Sequence, residues 1–240
     1  MSDDQFQRLL SVQDHDTRID QLRHRFETLP ERAGLAASQR ARQQIDDQRE
    51  AVQVRRLELQ RNLKRNEDEL AVLEERIKRE NDRLYSGEVT GTRELLTLQE
   101  EVDGLRTRRS DMENDALELM EAIEEVDAEV EALAAGSVAA EAEVAGSREQ
   151  LAEAEAVVQV EIDQENSARS TEAVDIPETA LASYEDLRKR MGGVAVARLR
   201  NGTCEGCHLG LSAMELDRIR HAPADEVCYC EECGRILVRT

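Results

Sequence analysis

From Leu95 onward, apolar residues recur at alternating steps of three and four, through Leu98, Val102, Leu105, Met112, Ala116, Leu119, Ile123, Val126, Val130 and Leu133. Only Arg109 is polar in that series. A seam of this spacing predicts a long helix that packs against another as a coiled coil. A looser version precedes it at Val52, Leu59, Leu63, Leu70, Leu73, Ile77 and Leu84, and an earlier run covers Val12, Ile19, Leu22, Phe26 and Leu29. Pro30 predicts a break between those two runs, because its ring removes a helical hydrogen bond and restricts the residue before it. Between the arms, the stretch 85–93 contains Ser86, Gly87 and Gly91 among β-branched residues, which interrupts both helix propensity and heptad and predicts the turn. Past Leu133 the second arm is alanine-rich, so the helices should approach closely there with less burial per residue.

After Asp175 the pattern changes. A short helix is expected from Ile176-Pro177-Glu178 to about Arg190, ended by Met191-Gly192-Gly193, and an alternating strand from Val194 to Leu199 leads into the cysteines. The expected organisation is mainly α: a long antiparallel coiled-coil hairpin over 1–175, then a short helix and small C-terminal zinc ribbon over 176–240.

Charge decides how the arms pair. The formal net charge is −21, yet it is spread unevenly. Residues 1–84 carry 17 basic and 18 acidic side chains, whereas 111–175 carry 20 acidic ones against Arg148 and Arg169 alone. Folding at the turn sets Arg40–Arg65, with 8 basic and 4 acidic residues, beside Asp111–Gly136, with 10 acidic and none basic. An antiparallel hairpin satisfies that bias, and a parallel dimer would oppose acidic arms. With 2% aromatic residues and 35% charged ones the chain is poor material for a globular core and good material for long helix. No run of 18 or more apolar residues occurs, and the Met1-Ser-Asp-Asp start lacks a signal-peptide pattern, so a cytoplasmic protein without membrane insertion is expected.

All five cysteines fall in the last 37 residues. Cys204-Glu-Gly-Cys207 and Cys230-Glu-Glu-Cys233 are separated by 22 residues, a spacing at which two tight turns each present two thiolates to one tetrahedral ion. One structural Zn2+ held by Cys204, Cys207, Cys230 and Cys233 is therefore expected. Cys228 reads as a small, partly buried residue of the strand entering the knuckle, with a substitute ligand or reactive thiol as the alternative, and His208 as a surface or supporting group. A redox role for the Cys-x-x-Cys pairs lacks a βαβ setting. Four thiolates leave zinc no open position for hydrolysis, and no nucleophile motif appears, so neither an enzyme nor a small-molecule substrate is expected.

The chain resembles the bacterial four-cysteine zinc-ribbon proteins with an N-terminal coiled-coil hairpin, long known as a domain of unknown function. The residues that carry the resemblance are Leu84-Tyr-Ser-Gly-Glu-Val89, Glu94-Leu-Leu-Thr-Leu-Gln-Glu100, Gly192-Gly-Val-Ala-Val-Ala197, Cys204-Glu-Gly-Cys207 and Cys230-Glu-Glu-Cys233-Gly-Arg-Ile-Leu237. It implies the same four zinc ligands. It also implies an adaptor or chaperone-like regulator, since members include nucleic-acid-binding zinc ribbons and partners of an alternative sigma factor or of flagellar and type III secretion components. Thr90-Gly-Thr-Arg93 departs from the family's usual turn, and Leu209-Gly-Leu-Ser-Ala213 lacks its usual proline pair.

The leading expectation is a non-enzymatic adaptor or scaffold that binds protein partners through coiled coil and ribbon, with Ser86, Gly87 and Gly91 at an interaction tip. The alternative is RNA or DNA binding through basic side chains of the C-terminal module: Arg188, Lys189, Arg190, Arg198, Arg200, Arg218, Arg220 and Arg235, with Arg239. That module offers few aromatics for base stacking, so nucleic-acid binding is expected to be weak.

Overall fold

A computed structural model describes residues 1–223 and 226–239. Ala224, Asp225 and Thr240, which fall within the expected C-terminal module, lie outside the described residues. Among the described residues five helices and four short strands follow in the order α1 (Asp3–Glu27), α2 (Pro30–Tyr85), α3 (Thr92–Ala173), α4 (Glu178–Arg190), β1 (Val196–Arg200), β2 (Thr203–Cys204), α5 (Ala213–His221), β3 (Cys228–Tyr229) and β4 (Ile236–Arg239).

Each boundary has a local cause. Ser2 and Gln5 form a reciprocal capping box that starts α1. Its end is closed by Thr28, whose hydroxyl donates to the His24 carbonyl at 2.7 Å, and Pro30 then occupies the first position of α2, where a missing N–H costs nothing. α2 and α3 meet at the expected turn. There Gly87 adopts φ 78°, and the Ser86 hydroxyl both donates to the Arg83 carbonyl and accepts from the Glu88 amide.

The contacts divide the chain into two compact units, Met1–Ala33 with Arg148–Thr240, and Gly34–Ser147. The second unit is helical hairpin alone. Leu73, Ile77 and Leu105 bury against one another with Met112 packed beside them, and every seam residue from Leu95 to Leu133 is buried or half-buried, Arg109 included. The charge bias between the arms becomes explicit pairing: Arg42 with Glu141 at 2.6 Å, Arg56 with Asp127 at 2.5 Å, and Arg76 with Glu101 at 2.7 Å. Exposed pairs of this kind contribute only about 0–1 kcal/mol each, so they choose the partner and register while the seam supplies stability.

In the first unit the root of the hairpin and the ribbon share a core. Phe6, Leu9, Leu10 and Val12 of α1, Ile176, and Tyr184 and Leu187 of α4 pack on Ala195, Val196, Ile236 and Val238. The sheet order is β2-β1-β4-β3, with β1 and β4 parallel in the centre and antiparallel strands at both edges. A second cluster on its other side joins Ala197, Cys204, Leu211, Ile219, Cys228, Cys230 and Leu237. Among the described residues no helix is long and apolar enough to cross a membrane.

Candidate metal centre

Two knuckles build the site. The first leaves β2 at Cys204, whose carbonyl accepts from the His208 amide at 2.8 Å, while the Cys204 amide donates to Leu209 at 3.0 Å. The second precedes β4. Its Gly234 amide donates to the Cys230 carbonyl at 2.7 Å, and the Cys230 amide donates to Arg235 at 2.9 Å. Gly206 is required for space. A Cβ there would lie 2.9 Å from the Ala197 Cβ and 2.6 Å from the Arg235 Cδ, distances that real side chains do not sustain.

The sulfurs of Cys204, Cys207, Cys230 and Cys233 all lie within 4.8 Å of one another, with 3.9 Å from Cys204 to Cys233 and from Cys207 to Cys230. A tetrahedron of Zn–S bonds near ~2.3 Å has S···S edges of about 3.8 Å, so the spacing fits one structural zinc ion. It is far too long for a disulfide, whose sulfurs sit about 2.05 Å apart. Burial pushes the Cys204 thiol up and takes Cys230 to about 12. Burial acts the same way on Cys233, but the backbone and side-chain N–H groups of Arg235 outweigh it and bring that thiol down to about 7. A divalent ion would reverse the penalty at the buried pair by stabilising thiolate directly.

Cys228 stands apart, 2% exposed in β3 and paired in register with Leu237. His208 is exposed, with φ 61°. Glu215 is a support that the cysteine motifs did not announce. It is buried on α5, and its carboxylate accepts from the Glu231 amide at 3.0 Å, bracing the second knuckle.

The basic residues of this module are largely engaged within the unit that contains it. Arg188 reaches back to α1, donating to the Asp16 carbonyl at 3.2 Å and pairing with the Asp20 carboxylate. Arg190 pairs with Asp186, Arg200 with Glu205 and Arg218 with Glu231. Arg235 donates to the Val194 carbonyl, and Arg239 donates to the carbonyls of Ile219, Ala222 and Pro223 at the end of α5. Lys189, Arg198 and Arg220 have side chains without a polar partner among the described residues.

The sequence patterns also gave no notice of the polar latch between α1 and the ribbon. Gln13 is buried, and its Oε1 accepts from the amides of Ala195 at 2.7 Å and Val196 at 2.6 Å while its Nε2 donates to the Val196 carbonyl at 2.9 Å. One side chain thus imitates a neighbouring strand at the start of β1. A turn further on, buried Asp16 accepts from the Tyr184 hydroxyl and from Arg169, both at 2.8 Å. Burial, with that carboxylate beside it, pushes the Tyr184 hydroxyl far up, so it stays a donor at any physiological pH. The available signal was the width of the apolar face in α1. Phe6, Leu9 and Leu10 add a second stripe beside the coiled-coil seam, more than one partner helix can cover.

A helical hairpin rooted on a four-cysteine ribbon defines a class of zinc-stapled coiled-coil proteins. The CT398-like coiled-coil hairpin domain matches residues 12–192 and a C4-type zinc ribbon domain matches residues 203–237, so the chain belongs to the CT398-like coiled-coil hairpin family. It is 31% identical over 233 residues to the Mycobacterium tuberculosis protein Rv2229c, covering 96% of this chain and 94% of that one. Similar solved structures include one from Mycobacterium smegmatis, with TM-score 0.81 and 24% identity over 100% of this chain and 99% of the other. CT398 from Chlamydia trachomatis gives TM-score 0.73 and 20% identity over 99% and 98% of the two chains. At these identities the likeness establishes the shared fold.

Proposed function

We propose that this protein is a non-catalytic adaptor whose hairpin binds protein partners and whose zinc ribbon is a structural root. The observation that carries this reading is the surface of the hairpin unit. Its seam is satisfied by its own two arms, yet Val72 is 69% exposed, Tyr85 79% and Leu96 61%, with Leu57 and Leu117 also outward. A pair of helices is too thin to hide these side chains, and apolar residues kept on an otherwise charged surface suit protein contact. Four thiolates fill a tetrahedral ion's coordination and leave zinc a folding role.

The nucleic-acid alternative draws on the ribbon's arginines. Five of the eight candidates are engaged with carboxylates or carbonyls of the same unit, and the thiolates around a divalent ion add about −2 of local charge, which weakens that reading. Affinity purification of the full chain from its native cell, with and without nuclease, separates the two. Protein partners that survive nuclease are expected. Loss of every partner on nuclease treatment would transfer the function to nucleic acid.

A further inference from the structure

The hairpin unit carries an open groove of about 580 Å³ along α2, closed on one side by α3. Arg61, Arg65, Arg76 and Arg108 line it, and Met112, exposed Val72 and buried Leu73 supply its apolar surface. Lys64 is tied to Asp68 at 2.7 Å and Arg76 to Glu101 at 2.7 Å, but Arg61, Arg65 and Arg108 have no ion partner among the described residues. In a chain of net charge −21 this lining is locally basic, with Arg61, Lys64, Arg65, Arg76 and Arg108 against Asp68 and Glu69, and it lies beside an exposed valine.

We propose that this groove is a docking site for an acidic amphipathic helix of a partner protein. The inference rests on the adaptor reading and adds to it a location and a partner chemistry. Arg61 and Arg76 are separated by about 22 Å along α2 at 1.5 Å per residue, room for some four turns of a third helix. Such a helix would lay apolar residues at i, i+3, i+4 and i+7 spacing over Val72 and Met112, and its flanking carboxylates would meet the arginines. Guanidinium is suited to this because its planar fork grips a carboxylate by two hydrogen bonds. A phosphate backbone fits less well. No aromatic lines the groove for a base to stack on, and Asp68 and Glu69 in its wall would face phosphates, whereas a helix can set uncharged residues there.

The test is selection of helix-constrained peptides from a charge-unbiased library against the zinc-loaded full chain, followed by titration against the Arg61→Glu/Arg65→Glu/Arg108→Glu variant and a milder variant with glutamine at the same positions. Circular dichroism verifies that both variants keep their helix content. The expected outcome is selected peptides of net negative charge with a helical apolar stripe, binding the glutamate variant at least about tenfold more weakly and losing affinity as salt rises. Neutral or basic selected peptides, or binding to the glutamate variant as tight as to the wild-type chain, would overturn the proposal. So would competition by a single-stranded oligonucleotide at physiological salt, or a concentration-dependent dimer of the unliganded chain that the charge reversal abolishes, since either would assign the groove to a different occupant. Native protein partners retained by the glutamate variant would sink the groove while leaving the adaptor reading intact. A wild-type chain that recovers no protein partner after nuclease would sink the adaptor reading itself.

Discussion

Replacing Gln13 with alanine tests the join between hairpin and ribbon at its narrowest point. The side chain accepts from two amides, those of Ala195 and Val196, in residues that are 0% and 1% exposed. Without it both N–H groups lose their partner where water has little access. Leaving a buried donor unsatisfied costs about 1–3 kcal/mol, so the pair sets a range of about 2–6 kcal/mol, and partial water entry into the vacated volume favours its lower half. We expect Gln13→Ala to destabilise the unit containing the ribbon by about 3 kcal/mol, a large share of the ordinary stability of a domain. Gln13→Glu separates the two halves of the latch. It keeps the acceptor but sets a carboxylate against the Val196 carbonyl, so it too should destabilise, and less so at acid pH where the carboxyl can donate. Urea unfolding of the zinc-loaded chain, with amide hydrogen exchange read at Ala195 and Val196, measures both effects. A loss below about 1 kcal/mol, with those two amides still protected, would refute the role assigned to Gln13.

Chelating the zinc should expose 194–239 to protease and loosen Phe6–Val12 of α1, while the hairpin from Gly34 to Ser147 keeps its far-ultraviolet helical signal. Serine at Cys204, Cys207, Cys230 or Cys233 should reproduce this, and serine at Cys228 should retain zinc by metal analysis. Zinc uptake at pH 7 should release at least about two protons, because zinc binds thiolate while burial favours the neutral thiol at Cys204 and Cys230, and affinity should fall as pH falls. Calorimetry in buffers of different ionisation enthalpy counts them, and release of fewer than about one would contradict the thiol environment described. At the turn, Gly87→Ala should cost about 1 kcal/mol because φ 78° disfavours a Cβ, whereas Gly91, whose added Cβ would meet only ordinary contacts at 3.7 Å, should accept alanine nearly freely. Thermal melts of the two variants compare them directly.

The helices, their break at Pro30, the turn and the four-cysteine cluster were legible because each rests on a local pattern: a seam of period 3.5, a proline, two glycines, a doubled Cys-x-x-Cys. The charge bias of the arms predicted their pairing because complementary residues recur along whole segments, so no single register had to be known. What stayed hidden depends on pairs far apart in the chain. Gln13 and Asp16 read as ordinary polar positions of an amphipathic helix, and only the docking of α1 on β1 and α4 turns them into buried hydrogen-bonding groups. Likewise the arginines of the ribbon form a basic cluster in sequence, but Arg188 and Arg239 point into the fold, which composition cannot reveal. Glu215 was invisible for the same reason, since its partner Glu231 belongs to the second knuckle, 16 residues beyond it in the chain.

The latch at Gln13 also sets an order of events during synthesis. Its partners lie 182 and 183 residues downstream, so α1 emerges from the ribosome long before anything that can cover Phe6, Leu9 and Leu10 exists. The hairpin from Gly34 to Ser147 joins residues brought together by one turn and can close while the rest is still being made. α1 must wait with its second apolar stripe open to water, and to whatever else binds such stripes, until β1 and β4 are released and zinc has gathered the cysteines. α1 is thus made long before it reaches its native contacts, and a cell short of zinc would hold the protein at that stage.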